Sequence, residues 1–338
     1  MSARPRSQPS TPRFEGDAVL SVRDLRVAFP GAEPVVDGIS FDLAPRQVLA
    51  VAGQSGSGKS LTAMAIMGLL PHRAEVTGSI TFAGTELVGA SESVLADVRG
   101  AEIAMVFQET RSALNPVLTI GKQLVGAIRA NSDASASQAR EMAGDALREV
   151  KILDADRVLE SYPHQLSGGM CQRVVIAMAL ACGSRVLIAD EPTTALDVSV
   201  QRDILTLLEQ LVRDREMSCI FVSHDLGVID EIADHVAVMH TGQIVEFGPV
   251  RQTIADPLHP YTRELLSHLD SLVGEPAPVP VVPDHQASTD PDRGCDWGHE
   301  DCDGDTELFT LPGGRQVRSC LYAPQRYAPT PTMQEVTR

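Results

Sequence analysis

The sequence predicts a mixed α/β fold, and three observations carry that prediction. VLAVAG (48–53), RVLIAD (185–190) and CIFVSH (219–224) are short continuous apolar runs, the pattern of strands covered on both faces. AVLSVRDLRVAF (18–29) and GISFDLA (38–44) instead alternate apolar and polar residues, as half-exposed antiparallel strands do. Between Leu118 and Leu166 the period changes: TIGKQLVGAIRA and SQAREMAGDALREVKIL space their apolar residues three and four apart, so a helical insert interrupts the sheet.

From the start of the chain, residues 1–17 are rich in Pro, Ser and Arg with little to bury, and read as a disordered lead-in. The stretch MSARPRSQPSTPRF lacks the apolar core of a signal peptide, and the longest apolar run, near Val174–Cys182, is too short to span a bilayer. A cytosolic protein is expected. Structure begins near Ala18 and continues to about residue 272, with the helical insert at about 110–183. Beyond it, GEPAPVPVVP is a stiff linker opening a separate small appendage, a Cys/Asp/Gly-rich tail, 273–338.

Charge narrows the partners. The formal net charge of −17 argues against general nucleic-acid binding, which rests on Lys and Arg neutralising phosphates. Of the six cysteines, Cys171, Cys182 and Cys219 lie in apolar stretches and read as small buried hydrophobes.

The chemistry sits at the ends of the buried runs. In VLAVAGQSGSGKSLTAMAIMGLL a strand is followed by G-x-x-x-x-G-K-S and an apolar helix, the context a phosphate loop requires. Gly53, Gly56 and Gly58 let the backbone wrap phosphates, with Ser55 and Leu61 completing the loop positions. Lys59 reaches the β- and γ-phosphates and the Ser60 hydroxyl binds Mg2+. RVLIADEP ends in two carboxylates where ligands collect in open parallel sheets. Asp190 suits Mg2+, directly or through water, and Glu191 is left to polarise an attacking water. His224 closes the third run and is a γ-phosphate contact candidate. The Ser167-Gly168-Gly169 entry to the apolar helix within SYPHQLSGGMCQRVVIAMAL (161–180) is either an anion seat, its N–H groups unobstructed by side chains, or a plain helix start capped by Ser167.

With these residues in order, the chain resembles the ATP-binding subunit of ABC transporters over about residues 18–270. GQSGSGKS is similar to Walker A, Gln108 in MVFQE to the Q-loop glutamine, LSGGM to the signature, VLIADEP to Walker B, ALD ending at Asp197 to the D-loop, and His224 to the switch histidine. The resemblance implies a P-loop NTPase: a RecA-like core, an antiparallel β subdomain and a helical subdomain. It implies ATP and Mg2+ as ligands, with Gln108 joining Ser60 and Asp190 at the metal, and Glu191, His224 and Gln108 as catalytic residues. It also implies head-to-tail dimers in which Ser167, Gly168 and Gly169 hold the partner's nucleotide and Asp197 lines the shared site. Phe29 is either the adenine-stacking aromatic or a core residue at a strand end.

A finer likeness, to the oligopeptide/dipeptide and nickel importer group, rests on FQETRSALNPVLTIGKQL, SYPHQLSGGM, DEPTTALDVSVQRDILTLL and DPLHPYTRELL. It implies a peripheral subunit at the cytoplasmic face of the inner membrane. The expected partners are a second ATPase subunit, identical or homologous, two transmembrane permeases and an extracytoplasmic substrate-binding protein. The chain departs from the family at Met170, Cys171 and Arg46-Gln47. Relatives in the group often carry four tail cysteines, which in some hold an iron-sulfur cluster; here there are three, Cys295, Cys302 and Cys320. They are either ligands of a metal or 4Fe-4S cluster, or reduced thiols in a docking tail.

Overall fold

The computed structural model describes residues 18–108, 110–193, 197–273, 306–311 and 314–320. The expected disordered lead, 1–17, lies outside them. Strands β1 (Leu20–Ala28), β2 (Val36–Leu43) and β3 (Val48–Ala52) open the chain, followed by helix α1 (Lys59–Ile66), strands β4 (Glu75–Phe82) and β5 (Thr85–Glu86), helix α2 (Glu92–Val98) and strand β6 (Ile103–Val106). Five helices follow without a strand: α3 (Thr110–Ala113), α4 (Ile120–Ala130), α5 (Ala136–Glu149), α6 (Ala155–Glu160) and α7 (Gly168–Leu180). The chain then alternates through β7 (Val186–Asp190), α8 (Val198–Asp214), β8 (Ser218–Ser223), α9 (Leu226–Ile232), β9 (His235–His240) and β10 (Gln243–Pro249). It ends in α10 (Val250–Ala255), α11 (Pro260–Val273) and the hairpin β11 (Thr306–Thr310) and β12 (Gln316–Cys320).

Two sheets result. One is antiparallel, in the order β2-β1-β4-β5; the other has eight strands, in the order β11-β12-β10-β9-β3-β8-β7-β6, with β6, β7, β8, β3 and β9 parallel. The continuous apolar runs of β3, β7 and β8 are explained by what covers them. Leu187, Ala189 and Phe221 face a core made with the helices, whereas Ile188, Val222 and Val51 on the opposite pleat face a second core shared with α1 and the antiparallel sheet. Removing the Phe221 side chain from such a site costs about 3–5 kcal/mol.

The half-exposed reading holds for β1, whose burial alternates, but not for β2. Asp42 of β2 is buried because Arg23 donates to its carboxylate at 2.6 Å and Ser21 at 2.7 Å. A polar residue in an alternating pattern marks solvent only when no cation faces it across the ladder.

The helices of this stretch start at local signals. Thr119 caps α4 by accepting from the Lys122 N–H, and Ser135 with Gln138 forms a capping box on α5. The tail differs from its reading as a separate appendage: β12 pairs antiparallel with β10, so the hairpin extends the main sheet. Val317 is fully buried there, and the hairpin is held by backbone pairing that leaves little apolar periodicity to read.

Candidate active site

The phosphate loop leaves β3 and enters α1 through glycines that have no alternative. Gly53 has φ +149°, and a Cβ there would lie 2.3 Å from the Met239 carbonyl oxygen; Gly58 has φ +100°, with the Val35 carbonyl oxygen 2.9 Å from its Cβ position. Gly58 is also the N-cap of α1 and supplies no side-chain cap, so the first N–H groups of the helix stay available to an anion. Ser55 is exposed on the loop, and Leu61 packs partly against the second core.

Lys59 is buried and folds back on the loop, donating from Nζ to the carbonyls of Gly53 at 2.8 Å and Gln54 at 2.9 Å. Burial pulls its ammonium below the ordinary lysine range, while the charges of Glu191 and Asp190 push the other way. Ser60 donates from Oγ to Asp190 Oδ1 at 3.0 Å, joining the first turn of α1 to the end of β7. Burial raises the Asp190 carboxyl above the usual carboxylate range, and the like charge of Glu191 adds to this; the hydrogen bond from Ser60 and the charge of Lys59 oppose it. A desolvated carboxylate beside a hydroxyl is a donor set that fits a hard dication such as Mg2+.

Glu191 lies just beyond β7 with φ +44°, a backbone conformation that costs about 1–3 kcal/mol outside glycine. Its N–H donates to the Val222 carbonyl at 3.0 Å, which ties this strained corner to β8. The side chain is buried and collects two partners: Gln108 donates from Nε2 to Oε2 at 2.9 Å, and His224 Nδ1 stands 3.3 Å from Oε1. Residues from the ends of β6, β7 and β8 therefore converge on one carboxylate. Such a carboxylate accepts a proton from a nucleophile while two side chains fix its orientation.

The other sequence candidates make contacts of their own. Ser167 is exposed and caps α7, its Oγ accepting from the Met170 N–H at 3.3 Å; among the described residues no hydrogen bond joins it to the phosphate loop. Gly169 presses on α8, where a Cβ would meet Val200 Cγ1 at 2.7 Å. Asp197 is exposed and caps α8 through the Val200 N–H at 3.0 Å. Phe29 belongs to neither core; it is half-buried past β1, with the Arg73 guanidinium 5.9 Å from its ring centre. Cys171 and Cys219 are buried and Cys182 partly so, and burial pushes the Cys219 thiol up to about 12. Cys295 and Cys302 lie outside the described residues, as does the side chain of Cys320. Among the described residues no group of three or more His, Cys, Asp or Glu could hold a metal ion.

One contact went unread in the sequence. The Gln54 N–H, within the phosphate loop, donates to the Tyr261 hydroxyl of α11 at 2.8 Å. The phrase HPYTRELL that contains Tyr261 marks a family likeness, but nothing local in it points to a loop 207 positions away.

A family model described as "ABC transporter" matches residues 36–194. The putative peptide import ATP-binding protein of Brucella abortus (strain 2308) is 42% identical over 313 residues, covering 89% of this chain and 94% of its own. The chain belongs to the ABC transporter ATP-binding family. The dipeptide transport ATP-binding protein of Bacillus subtilis (strain 168) is 44% identical over 287 residues, 82% of this chain and 85% of that one. Among solved structures, an ATP-binding cassette dimer in a post-hydrolysis state with ADP and phosphate bound matches with a TM-score of 0.61 and 25% identity, over 69% of this chain and 99% of its own. The chain is thus an ATPase of the ABC class, with the antiparallel sheet, mixed core and helical elements of that fold. No helix among the described residues is long and apolar enough to cross a membrane.

Proposed function

We propose that this chain is the ATP-hydrolysing subunit of an ABC importer, coupling ATP turnover to uptake of peptides across the cytoplasmic membrane. The observation that carries the catalytic half is the convergence of Gln108 and His224 on Glu191, beside the loop that holds Lys59. The peptide half rests on relatives whose names specify peptide or dipeptide transport and whose length this chain nearly spans. An importer of another solute, such as nickel, is the alternative within the same group.

In this reading Lys59 and the loop N–H groups bind the phosphates of ATP, and Phe29 stacks on the adenine. Ser60, Asp190 and Gln108 are the side chains that would hold Mg2+, which when bound neutralises phosphate charge. Glu191 accepts the proton of a water whose oxygen attacks the γ-phosphorus as the bond to ADP breaks, and His224 and Gln108 keep that carboxylate aimed. Ser167, Gly168 and Gly169 serve the nucleotide of a second ATPase subunit, as does Asp197. The dimeric state of the solved relative supports that assignment.

Exposed Phe107, Val117 and Leu118, beside Gln108 and before α4, offer an apolar surface through which the helices would couple to two permeases. The complex also requires an extracytoplasmic binding protein, and the chain then sits at the cytoplasmic face of the membrane. The tail cysteines Cys295, Cys302 and Cys320, candidates for an iron-sulfur cluster or metal, are not needed in this reading; Cys295, Cys302 and the side chain of Cys320 lie outside the described residues. Purifying the tagged chain from its native membranes in mild detergent tests the assembly. Two multi-span permeases, an ATPase subunit and a peptide-binding protein should co-purify in fixed ratio; recovery with soluble proteins alone would end the importer reading and leave the ATPase.

A further inference from the structure

DPLHPYTRELL runs past the phosphate loop, and its tyrosine contacts the loop backbone. The N–H that Gln54 donates to the Tyr261 hydroxyl belongs to the same planar peptide unit as the Gly53 carbonyl, which holds Lys59 Nζ at 2.8 Å. Fixing one end of that plane fixes the other, so the Tyr261 hydroxyl orients the acceptor on which Lys59 rests.

Tyr261 is itself held on several sides. Its ring lies against that of His240, at the end of β9, with centroids 4.0 Å apart. Its N–H donates to Nδ1 of buried His259 at 3.2 Å. The segment just before it is pinned by Glu246 of β10, a fully buried carboxylate that accepts from the Leu258 N–H at 3.1 Å and the His259 N–H at 3.0 Å. Arg315, in the turn between β11 and β12, donates to the same carboxylate at 3.0 Å and to the Asp256 carbonyl at 2.6 Å. The C-terminal hairpin thus clamps the segment that carries Tyr261 to the loop.

We infer that Tyr261 is a positioning residue of the phosphate loop, set in place by the clamp that Glu246 and Arg315 make between the C-terminal hairpin and the start of α11. It acts on nucleotide affinity through the Gly53–Gln54 peptide and Lys59. This rests on the reading of Gly53–Ser60 as the nucleotide loop.

The test is equilibrium binding of a non-hydrolysable ATP analogue with Mg2+ to the full-length chain, with KM and kcat measured on the assembled transporter. Tyr261→Phe keeps the ring against His240 and removes only the acceptor. Affinity should fall roughly three- to tenfold, the effect of one lost hydrogen bond, with KM rising by the same factor and kcat within about twofold. Arg315→Lys keeps the charge beside Glu246 but loosens the grip on Asp256, and should weaken binding in the same direction. Combined with Tyr261→Phe it should add less than its separate factor. A Tyr261→Phe chain that binds as wild type does, or that loses kcat with KM unchanged, overturns the inference. Full multiplication of the two effects, or unchanged binding in Arg315→Lys, overturns the clamp. Lys59→Ala separates this from the underlying reading: if it too binds as wild type does, the loop assignment itself fails.

Discussion

Replacing Glu191 by glutamine isolates the proton acceptor from everything around it. The amide has nearly the volume of the carboxylate and keeps an oxygen for Gln108 Nε2, now 2.9 Å away, so the strained corner and its tie to Val222 survive. What disappears is a base and a negative charge. Loss of that charge takes a like-charge neighbour from Asp190, so the Asp190 carboxyl moves back toward its ordinary range and becomes the better metal ligand. Lys59 loses one of the two carboxylates that favour its charged form, and its ammonium moves further down, though Asp190 remains beside it.

Glu191→Gln is therefore expected to bind Mg-ATP about as tightly as the wild type. Its turnover should fall by about two to four orders of magnitude, the contribution of a positioned base, or about 3–5 kcal/mol of barrier. Phosphate release at saturating ATP measures the turnover. Light scattering in the presence of ATP should find the variant held as a closed dimer. Turnover within about tenfold of wild type, with binding intact, would refute Glu191 as the base.

Three further outcomes are expected. Gly53→Ala places a methyl group 2.3 Å from a backbone oxygen, whereas Gly56→Ala meets nothing within 4 Å and pays only for its φ of +86°. Nucleotide affinity should drop roughly tenfold or more in the first and clearly less in the second, and equal losses would contradict the loop geometry. Ser167→Arg should leave nucleotide binding by the separate chain unchanged yet abolish turnover in the complex; binding lost in the separate chain would place Ser167 in its own site instead of a partner's. Burial, aided by the charges of His240, Arg318 and Arg263, pushes His259 from its ordinary value near 6.5 down to about 3. Its unfolded form takes up a proton that the folded form refuses, so its stability contribution is complete above pH 6.5 and is lost as pH falls toward 3. Between pH 7 and 5 the wild type should lose about 2 kcal/mol more than His259→Asn in urea unfolding, and parallel curves for the two would refute the neutral, buried histidine.

The motifs at strand ends were legible because each is local. A glycine loop declares its own backbone needs, and a continuous apolar run declares a strand covered on both faces, as Leu187, Ile188 and Ala189 are. Family likeness supplied the role of Gln108, which chain spacing alone leaves as a polar residue after a strand, whereas His224 stands out already by closing the third apolar run beside the other two. The misreadings had a common cause in pairing across the chain. Asp42 looked solvent-facing because Arg23 sits on a different strand, and the hairpin at 306–320 looked detached because its hold on β10, by backbone pairing and by Arg315 on Glu246, joins residues far apart in the chain. Tyr261 was invisible for the same reason: its hydroxyl serves a backbone N–H 207 residues earlier, and backbone donors leave no trace in a sequence.

The most direct test reconstitutes the chain with its permeases and binding protein in sealed vesicles and follows a labelled peptide while ATP is supplied on the side of this subunit. Uptake that needs ATP, follows phosphate release stimulated by the loaded binding protein, and vanishes with Glu191→Gln is the predicted result. ATP turnover with no peptide accumulating, or peptide uptake unaffected by Glu191→Gln, would contradict the account.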